Sequence, residues 1–250
     1  MSTILVTGGT GTLGRALVPQ LVAAGHRVRV LSRRQAPRLP AGVEGRQGEL
    51  RTGVGVTEAV DGVEVVIHAA SNPRRHTMET EEIGARHVSA AARAAGAHLL
   101  YVSIVGVDGH RFRYYRAKVA AERIIAESGA PWTVLRATQF HDLLDFALSR
   151  GWFIRTRHLR FQPVDVGEVA GRLTELAAGP PAGRVPDFGG PEVRSLRELA
   201  EMRYAATGRR TRLVPVPAVG FLADFDAGRH LTPDHRAGQR TWREWLDLNR

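Results

Sequence analysis

The chain has 250 residues, 24% of them charged, with a formal net charge of +10 and no cysteine. That length is enough for one well-buried α/β domain with a small appended lobe, and the missing cysteines exclude disulfides, Cys-ligated metal sites and thiol nucleophiles. No stretch approaches the roughly 20 apolar residues that span a bilayer, and the opening MSTILVTGG lacks a basic, apolar leader, so a soluble, cytoplasmic protein is expected.

Residues 3 to 7 (Thr-Ile-Leu-Val-Thr) form a β-branched, apolar run that reads as a buried strand. Gly8-Gly9-Thr10-Gly11-Thr12-Leu13-Gly14 follows at once, and then a helical pattern through Ala16, Leu17, Leu21 and Val22. At a strand-to-helix junction this spacing suits a dinucleotide. Gly8 takes the tight turn, Gly11 lets backbone approach a pyrophosphate, and Gly14 allows close helix–strand packing; backbone N–H groups and the helix dipole hold the phosphates.

Residues 27 to 31 make a second strand, a third is expected near 43 to 47, and a short helix near 54 to 61. Val63 to Ala69 reads as the fourth strand, and residues 79 to 95 as an Ala-rich helix closed by Gly96. Residues 97 to 103 form the fifth strand, 114 to 128 a helix ended by Gly129, and Trp132 to Arg136 the sixth strand. Alternation of this kind predicts a parallel, doubly wound α/β sheet of Rossmann type with helices on both faces. Residues 1–137 are expected to form the dinucleotide-binding core. Residues 138–250, where periodicity weakens and Pro rises, should complete the sheet and build a small substrate lobe on the same structural unit.

The end of the second strand speaks to the cofactor. Enzymes that bind NAD commonly place an acid there for the ribose hydroxyls, but this chain has Ser32-Arg33-Arg34 and no acid before Glu44. Arginines grip a 2′-phosphate through charge-assisted, bidentate contacts, so NADP(H) is expected over NAD(H).

Of the 35 basic residues, 34 are arginine; the one lysine, Lys118, comes four residues after Tyr114. Where a single Lys survives such a bias, the compact ammonium is doing something that the planar Arg fork does not. Residues four apart share a helix face, and a phenol beside an ammonium ionises more readily. That combination makes Tyr114 a general acid or base candidate. Tyr115 has Val119 four residues on and cannot take the same role.

Taken together, TGGTGTLG, HAAS at 68 to 71, YVSIVG at 101 to 106, YYRAK at 114 to 118 and PWTVLRATQF at 131 to 140 resemble the atypical or extended short-chain dehydrogenases/reductases, in particular the NmrA-like, NAD(P)H-binding group. The resemblance covers about the first 190 residues. It implies that Ser103 hydrogen-bonds the substrate oxygen, Tyr114 donates the proton, and Lys118 holds the nicotinamide ribose. It also implies that Ala69, Ala70 and Ser71 run beside the cofactor riboses and that Glu49-Leu50 lies near the adenine, with Glu in place of the usual Asp. His68 reads as a packed or capping residue. Many members carry an Asn on the helix after strand four; this helix has none, and the residue three before Gly84 is Glu81.

Gln139, Phe140 and His141 are expected to face the cleft, with Trp152, Phe153, Arg155 and Phe161 roofing it or forming the core of the small lobe. Such a wall suits a planar organic substrate bearing an acidic group. Asp165 reads as a helix cap. The reading is an NADP(H)-dependent oxidoreductase acting on a small organic carbonyl or conjugated substrate. The alternatives are a non-catalytic NADP(H)-binding redox sensor of NmrA type and a sugar-nucleotide epimerase or dehydratase. The scattered arginines carry no DNA-binding motif, so nucleic acid and membrane are not expected partners, and the oligomeric state is left open between monomer and homodimer.

Overall fold

The structure, a computed structural model, describes residues 1–35, 37–72 and 77–249. The apolar runs of the sequence become the middle of a seven-stranded sheet. β1 (Thr3–Thr7), β4 (Val65–His68) and β5 (His98–Ile104) are buried along most of their length, as expected for strands covered by helices on both faces. β2 (Arg27–Ser32) and β3 (Glu44–Gln47) lie outward from β1, and β3 is exposed throughout. β6 (Trp132–Ala137) and β9 (Gly183–Arg184) close the other side, giving the order β3-β2-β1-β4-β5-β6-β9. The ladders of β1 with β2 and with β4, of β4 with β5 and of β6 with β9 are parallel. The sheet is therefore the expected Rossmann type.

Strand order reverses between β1 and β4. In open sheets of this kind ligands bind at that switch point, beyond the carboxyl ends of the strands. The turn after β1 leads into α1 (Thr12–Ala23). α2 (Val56–Val60) precedes β4, α3 (Gly84–Ala95) precedes β5, and α4 (Arg113–Glu127) precedes β6. The remaining elements are α5 (His141–Ser149), β7 (Trp152–Arg155), β8 (Arg160–Phe161), α6 (Val166–Ala178), β10 (Arg194–Ser195), α7 (Leu196–Thr207), β11 (Arg212–Pro215), α8 (Phe221–Asp226) and α9 (Trp242–Leu248).

Several boundaries differ from expectation by one or two residues, and two of them have identifiable reasons. Val63 is buried, but its N–H closes a turn onto the Val60 carbonyl rather than joining the ladder. Gly96 turns left-handed at φ 65°, and the Ala97 N–H returns to the Ala92 carbonyl. Gly96 therefore caps α3, and β5 starts one position later than expected. The helix expected over 79 to 95 is not uniform either: it opens as a π turn over Glu79–Ile83 before continuing as α3.

The chain divides into two compact units. The first comprises Met1–Ser103, Arg116–Leu135 and Ala170–Val185; the second comprises Ile104–Tyr115, Arg136–Val169 and the chain from Pro186. Leu5, Val66, Leu99, Tyr101, Ala121 and Ile125 lie in the core of the first. In the second, Leu144, Leu148, Leu196, Leu199, Trp242 and Trp245 pack together, with Phe153 and Phe161 against them. None of the described helices is long and apolar enough to cross a membrane.

Candidate active site

The glycine turn of the first unit is built by close approach. Gly8 sits at φ 75°, and a Cβ there would meet the Ala70 Cα at 2.7 Å. A Cβ on Gly14 would run into the Gly8 carbonyl and the Gly9 backbone. The turn, the start of α1 and the segment after β4 are thus packed backbone to backbone, and only glycine fits at both places. Gly11 is the N-cap of α1. No side chain caps that helix and its first turn holds no acid, so the N–H groups of Thr12, Leu13 and Gly14 and the positive end of the helix suit an anion. Thr10 and Thr12 are exposed and Leu13 is buried. A cradle closed to Cβ atoms and open to an anion fits the pyrophosphate of a dinucleotide.

Ser32 ends β2, and its hydroxyl accepts from the Arg34 N–H at 3.1 Å. Arg33 and Arg34 are exposed beside it. Glu44, the next acid along the chain, is engaged by Arg29 at 2.9 Å and by Arg46. Glu49 accepts from the Arg51 N–H at 3.1 Å. Leu50 is sequestered in the core, and its carbonyl accepts a hydrogen bond from His87 Nδ1 at 2.7 Å. Ala69 and Ala70 are half-buried.

Beyond this turn the structure assembles a polar cluster that sequence reasoning described only in part. Glu81, carried into the interior by the π turn, is 0% exposed. Its carboxylate accepts from Ser71 Oγ at 2.6 Å, from the Tyr101 hydroxyl at 2.9 Å and from Lys118 Nζ at 3.0 Å. Lys118 also donates to the Val102 carbonyl at 3.1 Å and lies 4.7 Å from the centre of the Tyr101 ring. Burial alone would push Glu81 up, but the Lys118 charge and the Ser71 hydrogen bond outweigh it and hold the carboxyl below its usual range. His68 stacks on Tyr101 with centroids 5.4 Å apart and shares a 2.7 Å hydrogen bond with Thr7 Oγ1. Burial lowers its pKa to about 4, so it is neutral near pH 7. The packed role expected for His68 is what the structure shows.

Two sequence arguments change here. The Ser71 hydroxyl is directed to Glu81. Lys118 is not an uncompensated charge: a carboxylate stands 3.0 Å away, which weakens the argument that its field alone tunes a phenol. Glu81 and Tyr101 were not singled out as site residues. The available signals were an acid at the buried end of an Ala-rich helix and one hydroxyl inside the run His-Leu-Leu-Tyr-Val.

Ser103 lies one residue after the carbonyl that Lys118 engages. It is 3% exposed, and its hydroxyl has no hydrogen-bond partner among the described residues. A buried hydroxyl left unpaired costs about 1–3 kcal/mol, a cost that a ligand oxygen would remove.

In the second unit, Tyr114 is half-buried and meets Phe112 edge to face. Tyr115 is 4% exposed among His110, Phe112 and Phe225. Burial raises its phenol well above the ordinary range, and it packs within this aromatic cluster. Gln139 and Phe140 are half-buried and Trp152 is exposed. His141 does not face a cleft: it is fully buried against Trp242 and Trp245, with its pKa lowered to about 4 by burial. It follows directly on Phe140, the N-cap of α5, and the first turn of that helix points it into the core. Phe153 and Phe161 pack against the second core. Asp165 caps α6 as expected, accepting from the N–H groups of Gly167 and Glu168.

The profile of the NAD(P)H-binding family matches residues 8–148. The chain is similar to a ceramide reductase of Caulobacter vibrioides, 41% identical over 258 aligned positions that cover 92% of this chain and 79% of that protein. It is also similar to a (4-alkanoyl-5-oxo-2,5-dihydrofuran-3-yl)methyl phosphate reductase of Streptomyces griseus, 31% identical over 223 positions that cover 84% and 75%. Among solved structures, a Citrobacter triphenylmethane reductase complexed with NADP(H) superposes with a TM-score of 0.77 at 20% identity, covering 98% of this chain and 99% of that one. At that identity the likeness is one of fold.

Proposed function

This chain is a member of the NAD(P)H-binding family, and from that premise we propose that it is an NADP(H)-dependent reductase of the short-chain dehydrogenase/reductase type, acting on a small organic carbonyl or conjugated carbon. The observation that carries this reading is the buried hydroxyl of Ser103, without a partner among the described residues, beside the Lys118 anchor. A protein that only holds a nucleotide has no need of a buried donor at that strand end.

When bound, NADPH supplies the hydride. The first turn of α1 and the glycines Gly8, Gly11 and Gly14 hold its pyrophosphate, and Arg33 and Arg34 its 2′-phosphate. Lys118 donates to a ribose hydroxyl. Ser103 hydrogen-bonds the substrate oxygen and steadies the charge that develops there. Tyr114, four residues before Lys118 on α4, gives the proton that completes the alcohol or enol. Gln139, Phe140 and Trp152 are proposed to touch substrate, and the alkanoyl-substituted unsaturated lactone in the name of the Streptomyces griseus relative supports a conjugated acyl substrate.

The test is a panel of ketones, quinones and conjugated enones, scored by loss of NADPH absorbance. Turnover of at least one compound, abolished in Tyr114→Phe with coenzyme affinity nearly unchanged, is the expected result. Coenzyme binding with no turnover across the panel would instead indicate a nucleotide-binding regulator.

A further inference from the structure

Glu81 is a carboxylate of the first unit that is fully sealed from water. It takes three donors from three different segments: Ser71 after β4, Tyr101 within β5 and Lys118 on α4. It reaches them because the helix begins as a π turn, whose extra residue per turn widens the coil; single π turns concentrate at functional places. A buried ion pair is a poor device for stability, since well-packed apolar residues of similar volume do as well or better. The pair also involves the chain's single lysine. Among the described neighbours, His68 is neutral near pH 7, and Thr7 and Ser71 contribute hydroxyls.

We propose that Glu81 is a positioning residue for the reduction: it fixes the Lys118 ammonium against the end of β5 before coenzyme arrives and cancels its charge, so that Lys118 serves as an oriented donor and not as a free cation. The proposal rests on the coenzyme reading above. Its consequence is electrostatic. The nicotinamide ring is cationic when oxidised and neutral when reduced, so an uncompensated ammonium near it would disfavour the oxidised form. With Glu81 in place, that bias is removed.

The single lysine makes the test direct, because isotopically labelled lysine gives one side-chain NMR signal. In the free wild-type protein that signal should be dispersed, as for an ordered side chain. In Glu81→Gln it should move toward the value of a mobile lysine, and in Glu81→Asp it should largely return. By fluorescence titration, the ratio of NADP+ to NADPH dissociation constants should rise about tenfold in Glu81→Gln. In a Lys118→Met background, where the buried acid has lost its counter-charge and takes up a proton, the same substitution removes no charge and should leave the ratio unchanged. An unmoved lysine signal in Glu81→Gln, or an unmoved ratio, overturns the proposal. Should Glu81→Gln fail to fold, the Glu81→Gln/Lys118→Met pair decides: folding of the double variant supports an acid acting through Lys118, and failure of both opposes it. If wild-type protein binds no NADPH, the coenzyme reading falls, and the lysine signal alone still judges the hold of Glu81 on Lys118.

Discussion

Glu81 in the first unit and Asp224 in the second are both acids sealed from water, 0% and 1% exposed, and both are held ionised by cations. Their partners differ. The Lys118 side chain is 4% exposed, whereas those of Arg111 and Arg229 are 58% and 53% exposed. Asp224 accepts from the Arg111 backbone N–H at 2.9 Å and from its guanidinium at 3.0 Å, and the Arg111 hydrogen bond holds its carboxyl far below the ordinary range. That arrangement ties the segment before α4 to α8 while its cations remain solvated. The first arrangement removes both charges from solvent, so every contribution must come from direct contacts. Two ion pairs of similar length therefore differ in what they hold: one ties a loop through solvated cations, and the other, by the proposal above, orients Lys118.

The largest break in this comparison should come from Lys118→Met. It leaves Glu81 buried without its counter-charge, and turnover should vanish with a stability loss of about 3–5 kcal/mol. That loss should change little with salt, because no solvent reaches the pair. The next effect concerns acid. Burial lowers the pKa values of His68, His141 and His230 from 6.5 to about 4. Below pH 6.5 the unfolded chain takes up protons at these sites while the folded chain does not until about 4. Stability present above 6.5 is therefore lost as pH falls through that window, by on the order of 3 kcal/mol for each histidine. His141→Phe should flatten that limb of a melting-temperature profile, and an unchanged slope would mean that His141 is not buried neutral. Smallest should be Asp224→Asn, in which the amide oxygen still accepts from the Arg111 N–H and the released guanidinium groups already stand half in water. Its loss should be well below that of Lys118→Met and should shrink as salt rises. Equal losses, or equal salt responses, would erase the distinction between the two pairs.

Much of the first unit was legible because its signals are local. The run Thr3–Thr7, the glycines at 8, 11 and 14 and the left-handed Gly96 each follow from rules that act over a few residues, and the sheet followed from their alternation. His141 was not legible: whether a side chain beside a site turns toward ligand or core depends on how the following helix is set, and here that means the tryptophans of α9, about a hundred residues away. Glu81 shows the same limit. That Glu stands here where the resembled family often carries Asn was visible in sequence, but its meaning was not, because it depends on a π turn and on three donors brought in from positions 71, 101 and 118.

The most direct test of the account is a fluorescence titration of the free chain with NADPH and with NADH, repeated on Arg33→Ala/Arg34→Ala. NADPH should bind markedly more tightly than NADH, and loss of the two arginines should weaken NADPH by about tenfold or more while leaving NADH nearly unchanged. Equal affinity of the wild-type chain for the two coenzymes, or no binding of either, would contradict it.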